Sequence, residues 1–160
     1  MSDDIGKKAE KKIKEWLDRP EDGYSFTRLY DQLSGYVNTS RNICDFICYK
    51  YPYIYYIESK ATWKDNFAFN MIQDHQRDGL LEKSKINGCQ GWVIVLFASY
   101  QRAFKFNIDD IVKLSNEGQK SLNIKKIDKW PIRYKELQTV PNNRKQLLDY
   151  AGEVEDLLDE

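Results

Sequence analysis

Apolar positions near the start of the chain recur at helical spacing. Ile5, Ala9, Ile13, Trp16 and Leu17 fall on one face of a 3.6-residue repeat. Asp3 and Asp4 offer an N-cap and a negative first turn, so a helix is predicted over 3–17, ended by Pro20 and Gly23. Tyr24 to Tyr30 reads as a short strand, and 31–42, with Ser34, Gly35, Asn38, Thr39 and Ser40, reads as loop. The aromatic and β-branched runs 44–49 and 53–60 bracket Lys50-Tyr51-Pro52 and predict a β-hairpin. Proline is disfavoured at the second central position of a tight turn, so the expected loop is slightly longer than Tyr51-Pro52, with the same register. Phe69, Ile72, Gln76 and Leu80 recur at helical spacing and predict a second helix over 66–83. Strands are expected over 91–99 and 102–107, and a short helix from Asp109 or Asp110 through Leu114. The chain then reads as irregular after Trp130-Pro131, with an acidic amphipathic helix over 143–158. The order α, β, β-hairpin, α, β, β, α predicts a mixed α/β domain with a central sheet flanked by helices.

Composition narrows the class. A chain of 160 residues with 41% apolar residues can bury a core without disulfides or a structural metal. The longest apolar run, Trp92 to Ala98, is strand-sized and far short of a membrane span. No apolar h-region follows the charged N-terminus, so a secretory signal is not expected. Cys44, Cys48 and Cys89 are an odd set, read as reduced thiols in the cytoplasm. Cys44 and Cys48 are expected to share a strand face and pack in the core. Formal net charge is zero, but residues 1–145 carry a balance of +6 and the last fifteen residues hold six acids and no base. This allows a nucleic-acid partner without requiring one.

The hairpin concentrates the chemistry. Strand side chains alternate, so Glu58 and Lys60 share a face with Ile54 and Tyr56. Pairing that is symmetric about Tyr51-Pro52 sets Asp45 opposite Glu58, on the same face. Two carboxylates with no cation between them repel. A divalent ion removes that cost, and two carboxylates with open water positions suit Mg²⁺ beside a phosphate. A nearby lysine can orient the attacking water or stabilise developing charge. This is a layout for metal-assisted phosphodiester hydrolysis; the alternative is a salt-bridged strand end. Glu10 on the first helix could approach the metal or simply pair with Lys14. Gln76 in a core-facing stripe needs a polar partner, which an active site would supply. Tyr51, Tyr53 and Tyr55 read as an aromatic ridge on the opposite face. Lys7 and Lys11, Arg41 and His75 are candidate DNA contacts.

Four pieces of this sequence resemble the RecU family of Holliday-junction resolvases. They are Gly6-x-x-x-Glu10; Asp45 with Glu58-Ser59-Lys60 thirteen residues later; Phe69-Asn70-x-Ile72-x-x-His75-Gln76-x-x-x-Leu80; and Gly91 to Phe97 followed by the strand containing Phe104. Pro131-x-x-Tyr134 is a weaker echo. The resemblance implies a restriction-endonuclease-like core and a nuclease domain over 1–140, with a short stalk-like loop at 31–44. The acidic C-terminal helix over 141–160 lies outside what the resemblance carries. It further implies Asp45 and Glu58 as metal ligands with Glu10 as an additional acidic ligand, Lys60 as the catalytic lysine and Gln76 as an active-site residue. Mg²⁺ is the implied cofactor, with Mn²⁺ able to substitute. A homodimer would nick four-way junctions symmetrically, leaving 5′-phosphate and 3′-hydroxyl ends, with a recombinase as a further candidate partner. The family's stalk is longer than residues 31–44, so a nuclease acting on flaps, ends or duplex, or a non-cleaving DNA-binding or recombinase-modulating module, is the alternative. The compact length suggests a phage gene.

Overall fold

The computed structural model describes residues 3–18, 23–30, 41–140 and 148–151. Helix α1 (Asp3–Leu17) spans the predicted range, and Ile5, Ala9, Ile13, Trp16 and Leu17 are all buried. Its apolar stripe lies against the sheet, where a fully buried Ile or Leu contributes roughly 1.5–3 kcal/mol. Strand β1 (Ser25–Arg28) pairs with β2 (Phe46–Lys50), which pairs with β3 (Tyr53–Thr62). A short strand β4 (Asn66–Ala68) leads to α2 (Asp74–Ser84), then β5 (Cys89–Phe97) and β6 (Arg102–Asn107). Helix α3 (Ile108–Asn116), β7 (Ser121–Asn123), β8 (Lys135–Leu137), β9 (Thr139–Val140) and β10 (Asp149–Tyr150) complete the order.

The main sheet has six strands in the order β1-β2-β3-β5-β6-β8. Only β3 and β5 run parallel, joined by the crossover through α2; the other pairs are antiparallel. Strand β5 is covered on both faces. Trp92, Ile94 and Leu96 join the core under α1, while Val93, Val95 and Phe97 join the core under α2 and α3. Burial on both sides explains its unbroken apolar run. The architecture is the expected mixed α/β sheet flanked by helices. Among the described residues no helix is long and apolar enough to cross a membrane.

Several expectations are corrected. The hairpin loop is the two-residue Tyr51-Pro52, because Lys50 pairs with Tyr53. The Tyr51-Pro52 peptide is cis, the isomer that suits proline at the second central position. The second helix begins at Asp74 rather than at 66, since Asn66–Ala68 pairs with β7, and Phe67 and Phe69 point inward with a period of two. Residues 149–150, expected in a helix, form a strand against β9, with Leu148 buried and Tyr150 stacked on Trp16 at 5.0 Å. The parts of that predicted helix before 148 and after 151, and the loop over 31–40, lie outside the described residues. Finally, Cys48 packs in the core under α1 and Cys44 in the core under α2, because the chain at 44 has not yet entered β2. All three cysteines are free thiols.

The tyrosine ridge is split as well. Tyr51 and Tyr53 are exposed, but Tyr55 is buried against Trp92 at 4.5 Å.

Candidate active site

The register of β2 and β3 places Phe46 opposite Ile57, which carries Asp45 to the position facing Glu58. Asp45 N–H donates to the Ile57 carbonyl at 3.0 Å, and the Asp45 carboxylate accepts from Ser59 N–H at 2.8 Å. These bonds hold Asp45 to β3 beyond the end of the regular ladder. Ile57 belongs to the core under α1, so alternation turns Glu58 and Lys60 toward α2.

Helix α2 supplies the fourth group. Its first turn is closed by a capping box, in which the Gln73 and Gln76 side chains cap one another's backbone. Gln76 Oε1 accepts from Gln73 N–H at 3.1 Å and from Lys60 Nζ at 3.0 Å. Its Nε2 donates to Glu58 Oε2 at 2.6 Å, and Lys60 Nζ lies 2.9 Å from the same oxygen. Gln76 thus bridges the lysine and the carboxylate, and these two bonds determine which way its amide faces.

Glu58 is almost fully buried, and its Oε1 finds no hydrogen-bond partner among the described residues. Burial first, and then the neighbouring Asp45 charge, push its carboxyl up to about 8, against the opposing pull of Lys60. The Asp45 charge acts on Glu58 from the facing position of the register. An orphaned oxygen beside a second carboxylate is the environment a hard divalent cation relieves, so the donor set fits Mg²⁺.

Glu10 is held differently. Arg28 NH2 donates to Glu10 Oε2 at 2.5 Å, while Arg28 NH1 lies 3.5 Å from Asp45 Oδ1. Glu10 therefore meets the acidic pair through a guanidinium, and its carboxyl is raised by burial and by Asp45 despite that cation. Among the described residues no three His, Cys, Asp or Glu side chains converge on one point. Arg28 was not singled out in the sequence. Its signal was its place two residues after Phe26 on β1, since an arginine on the apolar face of a strand needs a counter-ion.

The other predicted contacts are dispersed. Lys7 and Lys11 are exposed on α1, whereas Arg41 and His75 line a groove beside the start of α2. Cys44 is no thiolate: burial, then the charges of Glu58 and Asp45, push its thiol up to about 12.

A model of the family described as Recombination protein U, RecU, matches residues 30–156. The chain belongs to the RecU family. Among solved structures, it is similar to the Holliday junction resolvase Hjc of the archaeal hyperthermophile Archaeoglobus fulgidus, at 14% identity with a TM-score of 0.38. That likeness covers 54% of this chain and 65% of the other, so less than two thirds of the archaeal protein is spanned. No curated protein matches. Within the RecU match lie Asp45, Glu58, Lys60 and Gln76, while Glu10 and Arg28 precede it.

One glycine secures the position of Asp45. A β-carbon on Gly79, in mid-α2, would stand 2.7 Å from Ile43 Cβ and closer still to its Cγ2. Ile43, two residues before Asp45, therefore packs directly on the helix backbone. Gly79→Ala is expected to lower stability by about 1–2 kcal/mol. At so short a contact overpacking costs about 2–3 kcal/mol, which outweighs a helix-propensity gain of about 1 kcal/mol. Urea unfolding measures this, and a neutral or stabilising result would mean that Ile43 moves away without cost.

Proposed function

We propose that this chain is a Mg²⁺-dependent, structure-selective DNA endonuclease that resolves four-way junctions. The observation that carries this reading is the Asp45, Glu58, Lys60 and Gln76 cluster, with a buried Glu58 oxygen left without a partner. RecU membership supports a role in DNA recombination. Asp45 and Glu58 would hold the ion, with Glu10 a further acid behind Arg28, and Mn²⁺ would substitute. When bound, Mg²⁺ supplies Lewis-acid polarisation of the scissile phosphate and neutralises the acidic pair.

The chain's own groups do the rest. Lys60 Nζ is held between Glu58 Oε2 and Gln76 Oε1, so its ammonium is aimed before substrate arrives. There it orients the attacking water and stabilises negative charge developing on the phosphate oxygens. Gln76 fixes Lys60 and Glu58 relative to one another. The water oxygen forms a bond to phosphorus and the P–O3′ bond breaks. The proton that the water gives up ends on the leaving oxygen, giving a 3′-hydroxyl and a 5′-phosphate. A homodimer carrying two such sites would nick paired strands symmetrically.

A cleavage panel of four-way junction, flap and linear duplex across a Mg²⁺ titration tests the reading. Expected is metal-dependent cutting with the junction preferred. Preference for flaps or duplex would keep the chemistry and replace the substrate. No cleavage with either Mg²⁺ or Mn²⁺, alongside tight salt-sensitive junction binding, would leave a non-cleaving DNA-binding module.

A further inference from the structure

Asp45 stands one residue before β2, where the regular ladder has not begun, yet to share an ion with Glu58 it must be held in place. On the β3 side its N–H and its carboxylate are tied to Ile57 and Ser59. On the β1 side the tie runs through Arg28. Leu29 N–H donates to the Asp45 carbonyl at 2.7 Å, and Arg28 NH1 donates to the same carbonyl at 3.1 Å. NH1 also donates to the Leu29 carbonyl and lies 3.5 Å from Asp45 Oδ1. The guanidinium is packed as well as bonded, with Cζ 5.2 Å from the Phe46 ring centre and 4.7 Å from that of Tyr30. Glu10 reaches across from α1 and accepts from NH2 at 2.5 Å. The Arg28 side chain is 15% exposed and that of Glu10 27%, so the pair is sheltered in a way that a surface ion pair is not.

A guanidinium is a rigid planar fork that fixes several acceptors at set angles, whereas an ammonium is a single point charge. Here NH1 faces Asp45 and NH2 faces Glu10. The Glu10 charge is therefore already engaged by a cation of the chain, while Glu58 Oε1 finds no partner among the described residues. We propose that Arg28 and Glu10 are a positioning pair: Glu10 aims the guanidinium, and the guanidinium sets Asp45 for the ion, with neither residue touching the ion itself. The inference rests on the nuclease reading and deepens it by taking Glu10 out of the ligand set.

The test is Mn²⁺ binding to the DNA-free protein, read from the EPR signal of the free ion. A ligand and a positioning acid respond differently to replacement by an amide. The amide oxygen of Glu10→Gln still accepts from Arg28 NH2, so Mn²⁺ affinity should stay within about threefold of the parent. Glu10→Ala leaves the guanidinium unheld and should lose about tenfold. Arg28→Lys keeps the charge but not the fork, and should also lose about tenfold. Junction affinity in EDTA should stay within about twofold in all three, because the pair makes no phosphate contact. Equal losses in Glu10→Gln and Glu10→Ala would make Glu10 a ligand and overturn the inference. Parent-like Mn²⁺ affinity in Glu10→Ala or in Arg28→Lys would overturn it too, by showing that the pair sets nothing for the ion. A marked fall in junction affinity would assign Arg28 to the DNA instead. Thermal unfolding establishes that each variant is folded, and the two Glu10 variants decide the matter even where Arg28→Lys does not fold. A parent that binds no Mn²⁺ and cuts no junction overturns the nuclease reading and this inference with it. A parent that does both, beside an unchanged Arg28→Lys, overturns this inference alone.

Discussion

Glu58→Gln is expected to reduce junction cleavage by about 10³-fold, the loss that follows when several kcal/mol of metal-derived stabilisation disappear. The substitution is nearly isosteric. Its amide oxygen can still accept from Lys60 and Gln76, the contacts that hold Glu58 Oε2 now. What goes is the negative charge at the buried Oε1, which finds no protein partner. Binding of a four-way junction in EDTA should stay within about twofold, because phosphate contacts dominate DNA affinity and this group makes none without the ion. Single-turnover cleavage and anisotropy measure the two quantities. Asp45→Asn should match it, and the double variant should be little worse than either alone, since both groups serve the same ion. Cleavage by Glu58→Gln within tenfold of the parent would remove Glu58 from the mechanism and take the metal assignment with it.

The same carboxyl predicts how stability responds to pH. Its value in the fold is about 8 against an ordinary 4.5, so the folded state binds the extra proton. The stabilisation from that protonated form is complete below about 4.5 and is lost as pH rises through about 8. Metal-free protein should therefore melt at lower temperature at pH 8.5 than at pH 5.5, by on the order of 5 °C relative to Glu58→Gln. Glu10, also raised, acts in the same direction. Mg²⁺ requires the ionised carboxylates, so its stabilising effect should be small at the acidic end and grow with pH in the parent. Glu58→Gln should show a weaker Mg²⁺ effect throughout. Thermal unfolding at the two pH values, with EDTA and with Mg²⁺, checks all of this. Equal Mg²⁺ stabilisation of parent and variant would show that the ion binds elsewhere.

Most of the candidate cluster was legible in one dimension. The span of α1 followed from the spacing of Ile5, Ala9, Ile13 and Trp16. The hairpin register followed from the symmetry of two β-rich runs, and strand alternation then placed Asp45, Glu58 and Lys60 on a common side. Gln76 stood out as a polar residue in a core-facing stripe, and its contacts with Lys60 and Glu58 supply the partner it needed. Each inference used the direction a side chain takes from its own backbone, which local periodicity determines.

Tertiary structure decided the rest. Asn66–Ala68 became a strand because Ser121–Asn123 lies beside it, and a helical spacing of Phe69, Ile72 and Gln76 carried no trace of that distant partner. Asp149–Tyr150 became a strand against Thr139–Val140, with Tyr150 on Trp16, where the acidic apolar pattern suited a helix. Arg28 acquired meaning only when the fold brought it between Glu10 and Asp45. Ile43 and Gly79 met only because the chain ahead of β2 runs under α2. Periodicity reports which way a side chain faces over a few residues. The contacts that tune charge and pin the site join segments far apart in the chain, and their identity depends on the path between them.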